Sequence, residues 1–118
     1  MSRRRIPGIP ASPGVAVGPA VVLEKQKIKF SRRQIEDDDV SDELERFRWA
    51  IAASAAQLAG VVSQLGPEDS VGRSIIESHQ LMLRDDALIG ATERTIEEKL
   101  LNAEWALAKT VDELRRIF

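Results

Sequence analysis

The sequence has no cysteine, which excludes a disulfide framework, a thiolate zinc site and a thiol nucleophile. His79 is its single histidine, so a histidine-rich metal cluster is excluded too. No apolar run approaches the roughly 18 residues of a membrane span. The basic start Arg3-Arg4-Arg5 is not followed by the apolar stretch of a secretory signal. Proline nearly disappears after residue 19: Pro7, Pro10, Pro13 and Pro19 lie before that point and Pro67 is the one that follows. The 118 residues are of single-domain size and could bury a real core.

Charge is as unevenly spread as proline. Residues 1–33 hold eight basic side chains against Glu24, a net +7, whereas residues 34–118 hold nine basic against eighteen acidic, a net −9. Two unlike pieces of architecture are expected. In the first, Pro7, Pro10 and Pro13 lack a backbone N–H and push their predecessors away from the helical region. Ser12-Pro13-Gly14 signals a turn. Val15-Ala16-Val17 and Ala20-Val21-Val22-Leu23, broken by Gly18-Pro19, suit an edge strand with a bend. Lys25, Lys27 and Lys29 alternate with Gln26, Ile28 and Phe30, a period of two with one wet face. A lone strand is not stable by itself, and no other part of the sequence offers it a sheet.

From about residue 39 the pattern becomes helical. Asp37, Asp38, Asp39, Ser41, Asp42 and Glu43 crowd a helix start, where carboxylates oppose the positive end of the dipole. Leu44, Ile51, Leu58 and Leu65 recur every seven residues, with Phe47 and Val61 between them and Ser54 as the weak position, a seam of about three heptads. Gly66-Pro67 ends it. A second helix should follow Pro67, with Val71, Ile75, His79 and Met82 on its inner face and Ile76 and Leu83 beside them. Asp85-Asp86 interrupts it and could cap a piece running through Leu88, Thr92, Ile96 and Leu100. Asn102 is the expected N-cap of the last helix, whose Leu107, Val111, Leu114 and Phe118 are spaced 4-3-4. The sequence stops on Phe118 in mid-pattern, which suggests a segment of a longer protein.

Several features invite a functional reading. Gly8 to Gly14 is glycine- and proline-rich but lacks the Gly-Lys-Ser/Thr ending of a phosphate loop, so a structural turn is favoured. The arginine triplet has no interleaved aromatics, and a solvated terminus is its plain reading. The acidic block 36–43 has neither the spacing nor the glycine of a calcium loop. No metal site is expected, therefore, and helix-start electrostatics account for the block. His79 has no convincing nucleophile or orienting group beside it; packing or a partner surface is its role. Leu81, Met82 and Leu83 cannot all face one narrow helix stripe. Either they are ordinary core, or apolar residues rimmed by Asp85 and Asp86 form a docking site for a basic partner.

Three ordered blocks carry a resemblance. Gly8-Ile9-Pro10-Ala11-Ser12-Pro13-Gly14-Val15-Ala16-Val17-Gly18 resembles the start of enzyme I, the phosphoenolpyruvate–protein phosphotransferase of the bacterial sugar phosphotransferase system. Glu77-Ser78-His79-Gln80-Leu81-Met82-Leu83-Arg84-Asp85-Asp86 resembles the family's segment of a histidine, apolar residues and an acidic cluster, and Asn102-Ala103-Glu104-Trp105-Ala106-Leu107 fits its next helix. The nitrogen-related paralogue shares these blocks, and either branch fits.

The resemblance implies that residues 1–33 are a strand segment of an incomplete phosphohistidine α/β domain. Residues 34–118 would be an incomplete antiparallel, coiled-coil-like helical domain that binds HPr, the small phosphocarrier. The family has four principal helices there; this sequence would hold about three and lack the last. The chemistry implied is a relay from phosphoenolpyruvate to an enzyme histidine and on to HPr, with magnesium required by the full-length enzyme and no cofactor in this segment. The family's phosphorylated histidine lies in a Thr-Ser-His motif that does not occur here, so His79 is not that residue and the segment alone should be inactive. The HPr-facing surface would fall on Ile75, Ile76, His79, Leu81, Met82, Asp85, Asp86, Leu88 and Phe118. Arg84 and Ala87 stand where acidic residues are commoner and make this surface less negative. The nitrogen-branch carrier is an equal candidate partner. A cytoplasmic location, no nucleic-acid or membrane partner, and self-association through an unpaired strand and open helix faces are also expected. A stand-alone helical interaction scaffold, suggested by the heptads, is the alternative.

Overall fold

A computed structural model describes residues 3–22 and 28–117. Among these residues the protein is mainly helical. A 3-10 turn, Asp37–Asp39, leads into α1 (Val40–Gln64), followed by α2 (Ser70–Met82), α3 (Ile89–Lys99) and α4 (Ala103–Ile117). The stretch read as one interrupted helix after Pro67 is thus two helices. Among the described residues no helix is long and apolar enough to cross a membrane.

The acidic block starts α1 as its chemistry suggests: the Glu36 amide donates to Asp39 Oδ2 at 3.1 Å, and Asp42 and Glu43 follow in the first helical turn. At about 1.5 Å per residue the helix runs about 37 Å. The heptad seam is used unevenly. Leu44 and Phe47 are buried, Ile51, Leu58 and Leu65 are half-buried, and Val61 is exposed. The seam ends as expected, with Leu65 already extended before Gly66-Pro67.

The core sits at the N-terminal end of α1. Leu44 and Phe47 meet Ile35, Ile96, Leu101, Ala103 and Ala106, with Val40, Ile51, Ile89, Leu100 and Trp105 packed around them. Thr92 and Ile96 face inward on α3, as their spacing predicts. On α4 the buried positions are Ala103, Ala106 and Thr110, and Leu107, Val111 and Leu114 are only half-buried beside them. Small side chains let α4 approach its neighbours closely, which displaces the leucines to the flank of the contact. Phe118 lies outside the described residues.

Where α3 meets α4 the chain turns sharply. Leu100 takes φ 55° and ψ 49°, the left-handed conformation usual for glycine just past a helix end, and its N–H still reaches the Ile96 carbonyl. The turn is fastened to residues 31–35. Gln34 and Leu101 form an isolated antiparallel bridge, the Ile35 amide donates to the Leu100 carbonyl at 2.8 Å, and the Asn102 amide donates to the Arg33 carbonyl at 3.0 Å.

Asn102 does stand at the head of α4, since its carbonyl accepts from the Ala106 amide. Its side chain, however, does not cap that helix. Oδ1 accepts from the Arg33 amide at 3.0 Å, and Nδ2 donates to the Ser31 carbonyl at 2.7 Å and to Glu104 Oε2 at 2.8 Å. The capping acceptor comes from another helix: Glu43 Oε2 of α1 takes the Ala103 amide at 3.3 Å. A buried carboxylate there satisfies one orphan N–H of α4 and opposes the positive end of its dipole.

Residues 3–22 are exposed, with Ile6, Ile9, Val15, Val17, Val21 and Val22 all in solvent. Gly14 takes φ 115° in the Ser12-Pro13-Gly14 turn, a conformation that suits glycine alone. No strand is formed among the described residues, and residues 23–27 of the expected strand lie outside them.

Candidate functional site

The residues that the sequence singles out gather on α2 and the turn after it. Asp69 caps α2, its Oδ1 accepting from the Gly72 amide at 2.9 Å. Which face of α2 then turns inward corrects the sequence-based expectation. Gly72, Arg73, Ile76, Gln80 and Leu83 are half-buried, and Gln80 and Leu83 line a groove with Ile51, Ala52, Ala55 and Ala59 of α1. Val71, Ile75, His79 and Met82, expected inside, face solvent. The two stripes are both helical in period and lie side by side on the cylinder. The inner one carries Gln80 and Leu83, which face the small residues of α1.

The exposed stripe is strongly apolar: Val71 is 71%, Ile75 52% and Met82 54% exposed, and Leu81 is 68% exposed on a neighbouring line. The three consecutive apolar residues therefore divide, with Leu83 turned in and Leu81 and Met82 out. Monomeric proteins seldom leave adjacent large side chains in water without a use for them.

The turn from Leu83 to Leu88 carries the charged residues. The Asp85 carbonyl accepts from the Leu88 and Ile89 amides at 3.0 and 2.8 Å, and its Oδ1 takes the Ala87 amide at 2.9 Å. It thus starts the new helical piece, as its position suggests. Asp86 Oδ2 lies 3.7 Å from Arg94 Nη1 of α3. Leu88 is half-buried at the head of α3. Of the nine sequence-predicted site residues, Ile75, His79, Leu81, Met82, Asp85 and Asp86 are exposed along α2 and its turn; Ile76 and Leu88 are partly covered, and Phe118 is not described. Among the described residues no group of three or more His, Asp or Glu side chains converges as a metal would require.

Two ion-pair systems tie α1 to α3 and α4 beside this surface. Arg48 of α1 grips Glu93 of α3 with two parallel bonds of 3.1 and 3.2 Å, and its basicity rises chiefly because of the hydrogen bond to Glu93. Arg46 Nε bonds Glu43 Oε1 at 2.6 Å, while its Nη2 reaches Glu104. Arg46 is raised by Glu43 first and Glu104 next, against the effect of burial. At Glu104 burial pushes upward, yet its own backbone amide, Arg46 and Asn102 together hold the carboxyl below its ordinary range. Sequence periodicity carries no sign of the two links between helices, Arg48–Glu93 and Arg46–Glu104, because they join residues 45 and 58 positions apart.

The family described as PEP-utilising enzyme, N-terminal, matches residues 7–118. The chain belongs to this family. Among curated relatives, the phosphoenolpyruvate-protein phosphotransferase of Cupriavidus necator is 37% identical over 113 residues, covering 94% of this chain and 19% of the relative. That of Haemophilus influenzae is 33% identical over 112 residues, covering 92% and 19%. That of Listeria monocytogenes is 29% identical over 110 residues, with the same coverage. The chain thus spans about a fifth of the length of these relatives. No solved structure matches it. Within the family, the helices described above correspond to sequence shared from residue 7 onward.

Proposed function

We propose that this chain is the phosphocarrier-docking part of a phosphoenolpyruvate–protein phosphotransferase. On this reading residues 34–118 belong to an HPr-binding helical domain, and residues 1–33 to a strand segment of a phosphohistidine α/β domain. The carrier would be HPr or its nitrogen-branch counterpart, and the histidine that receives the phosphoryl group would lie outside this sequence. The observation that carries the reading is the outward stripe Val71, Ile75, His79 and Met82, with Leu81 beside it and Asp85 and Asp86 at its end. Apolar side chains that a partner can desolvate, bordered by charges that fix register, are the anatomy of a transient interface.

The reading also takes the parent enzyme as cytoplasmic and magnesium-dependent. Among the described residues no three acidic or histidine side chains converge to hold magnesium. His79 is a contact residue in this scheme. The exposed apolar arm over residues 3–22 supports self-association of the isolated chain, which light scattering at rising concentration would test; a monomer throughout would exclude it.

Titrating the isotope-labelled chain with HPr at low salt tests the docking claim. Amide shifts should concentrate at residues 75–88. Shifts confined to other surfaces, or none, would overturn it.

A further inference from the structure

Sulfur is scarce in this protein. There is no cysteine, and of the two methionines Met1 lies outside the described residues. Met82 is the other, and it is largely exposed in the outward stripe. It closes α2, one turn after His79 and two turns after Ile75, so the three share a line along the helix. Its carbonyl accepts from the Asp85 amide at 3.2 Å, a main-chain bond that does not depend on the side chain. The thioether belongs neither to the core cluster nor to the α1–α2 groove, which Gln80 and Leu83 line from α2. Chemistry at the sulfur therefore changes the stripe and spares the fold.

A thioether that solvent reaches reacts with peroxides. A sulfur lone pair attacks one oxygen of hydrogen peroxide, an S–O bond forms and the O–O bond breaks. The second oxygen leaves as water, taking the proton of the first. The sulfur loses two electrons and the peroxide gains them. A flexible apolar tip becomes a polar S=O group. No thiol in this chain competes for the oxidant. In water the new group is hydrated, but a partner that covers the stripe must strip that hydration, with only the His79 imidazole among the stripe's side chains to replace it. We propose that Met82 is an oxidation-sensitive switch on the docking surface: its sulfoxide releases the phosphocarrier, and thiol-dependent reduction, which yields water and a disulfide on the reductant, restores docking. The inference rests on the docking reading above and adds its regulation.

The test treats the purified chain alone with hydrogen peroxide, removes the oxidant, and titrates it with HPr and with its nitrogen-branch counterpart as separate probes. Peptide mass analysis should place one added oxygen on Met82, and thermal unfolding should match that of the untreated chain. Affinity for the carrier that binds should fall about tenfold, the cost of burying a polar group that lacks a partner. Reduction by the two methionine sulfoxide reductases, one for each epimer, with dithiothreitol should restore it. Met82→Leu keeps Met1 and lacks the reactive sulfur, so its binding, whatever its strength, should be the same before and after peroxide. If the untreated chain binds with shifts at residues 75–88 and the Met82 sulfoxide binds as tightly, the switch fails while docking stands. A loss of binding that Met82→Leu shares, or that accompanies a lowered unfolding temperature, would overturn it too. If the untreated chain binds neither carrier, both readings fail.

Discussion

Replacing Asn102 by alanine tests the clasp between the segment before α1 and the α3–α4 turn. Asn102 is wholly buried, and its side chain makes three hydrogen bonds, two of them to the backbone of Ser31 and Arg33. Each neutral bond is worth about 1 kcal/mol net. The bond to Glu104 is charge-assisted, but that carboxylate is 37% exposed and can recruit water, so its share is discounted to a similar size. The expected loss is about 2–4 kcal/mol, since the abandoned Arg33 N–H and Ser31 carbonyl sit near the surface and recover some hydration. The main-chain bonds Ile35–Leu100 and Asn102–Arg33 remain, so the bridge should loosen rather than vanish. Urea unfolding followed by fluorescence of half-buried Trp105 reads the loss, and hydrogen exchange at the Arg33 amide reads it locally. Asn102→Asp should be worse than alanine near neutral pH. It keeps the acceptor for Arg33 but sets a second carboxylate against Glu104 and removes the donor to Ser31. A loss below about 1 kcal/mol, or an aspartate milder than alanine, would mean that shape rather than hydrogen bonding holds the turn.

Phe47→Ala should cost about 3–4 kcal/mol, because Phe47 is 3% exposed at the centre of the core; calorimetry measures it, and a cost under 1 kcal/mol would place the core elsewhere. Glu104 has a depressed folded-state pKa, so its contribution is complete above the unfolded value near 4.3 and lost as pH falls through the lower folded value. Stability of wild type should drop below about pH 4.5 more steeply than that of Glu104→Gln; parallel acid profiles would refute this. Ile75→Ser and Met82→Ser should leave stability within about 0.5 kcal/mol, since both side chains are largely in water, while weakening carrier binding at least about tenfold by titration. Leu100→Gly should be nearly neutral in the same unfolding assay: it relieves about 1 kcal/mol of left-handed strain but loses partial packing.

The sequence by itself determined where this protein becomes helical and where its helices begin and end. The carboxylates before Val40, Gly66-Pro67 after the seam, Asp85 before α3 and Asn102 before α4 all sit at real boundaries, because dipole, proline and capping effects act within a turn or two of chain. Thr92 and Ile96 were also legible as inner positions, since one stripe on α3 clearly exceeds the rest. The orientation of α2 was not. Val71-Ile75-Met82 is more apolar than Gly72-Ile76-Gln80-Leu83, and periodicity chooses the more apolar stripe. Only the tertiary structure decided for the second, because it meets the small residues Ala52, Ala55 and Ala59 of α1. That choice exposes the candidate docking surface. The tertiary structure alone also gave the Asn102 side chain to residues 31–33, the cap of α4 to Glu43, and Asp86 to Arg94. The +7 and −9 halves were plain in the sequence, but which charges stay uncompensated depends on distances of a few ångströms between residues far apart in the chain.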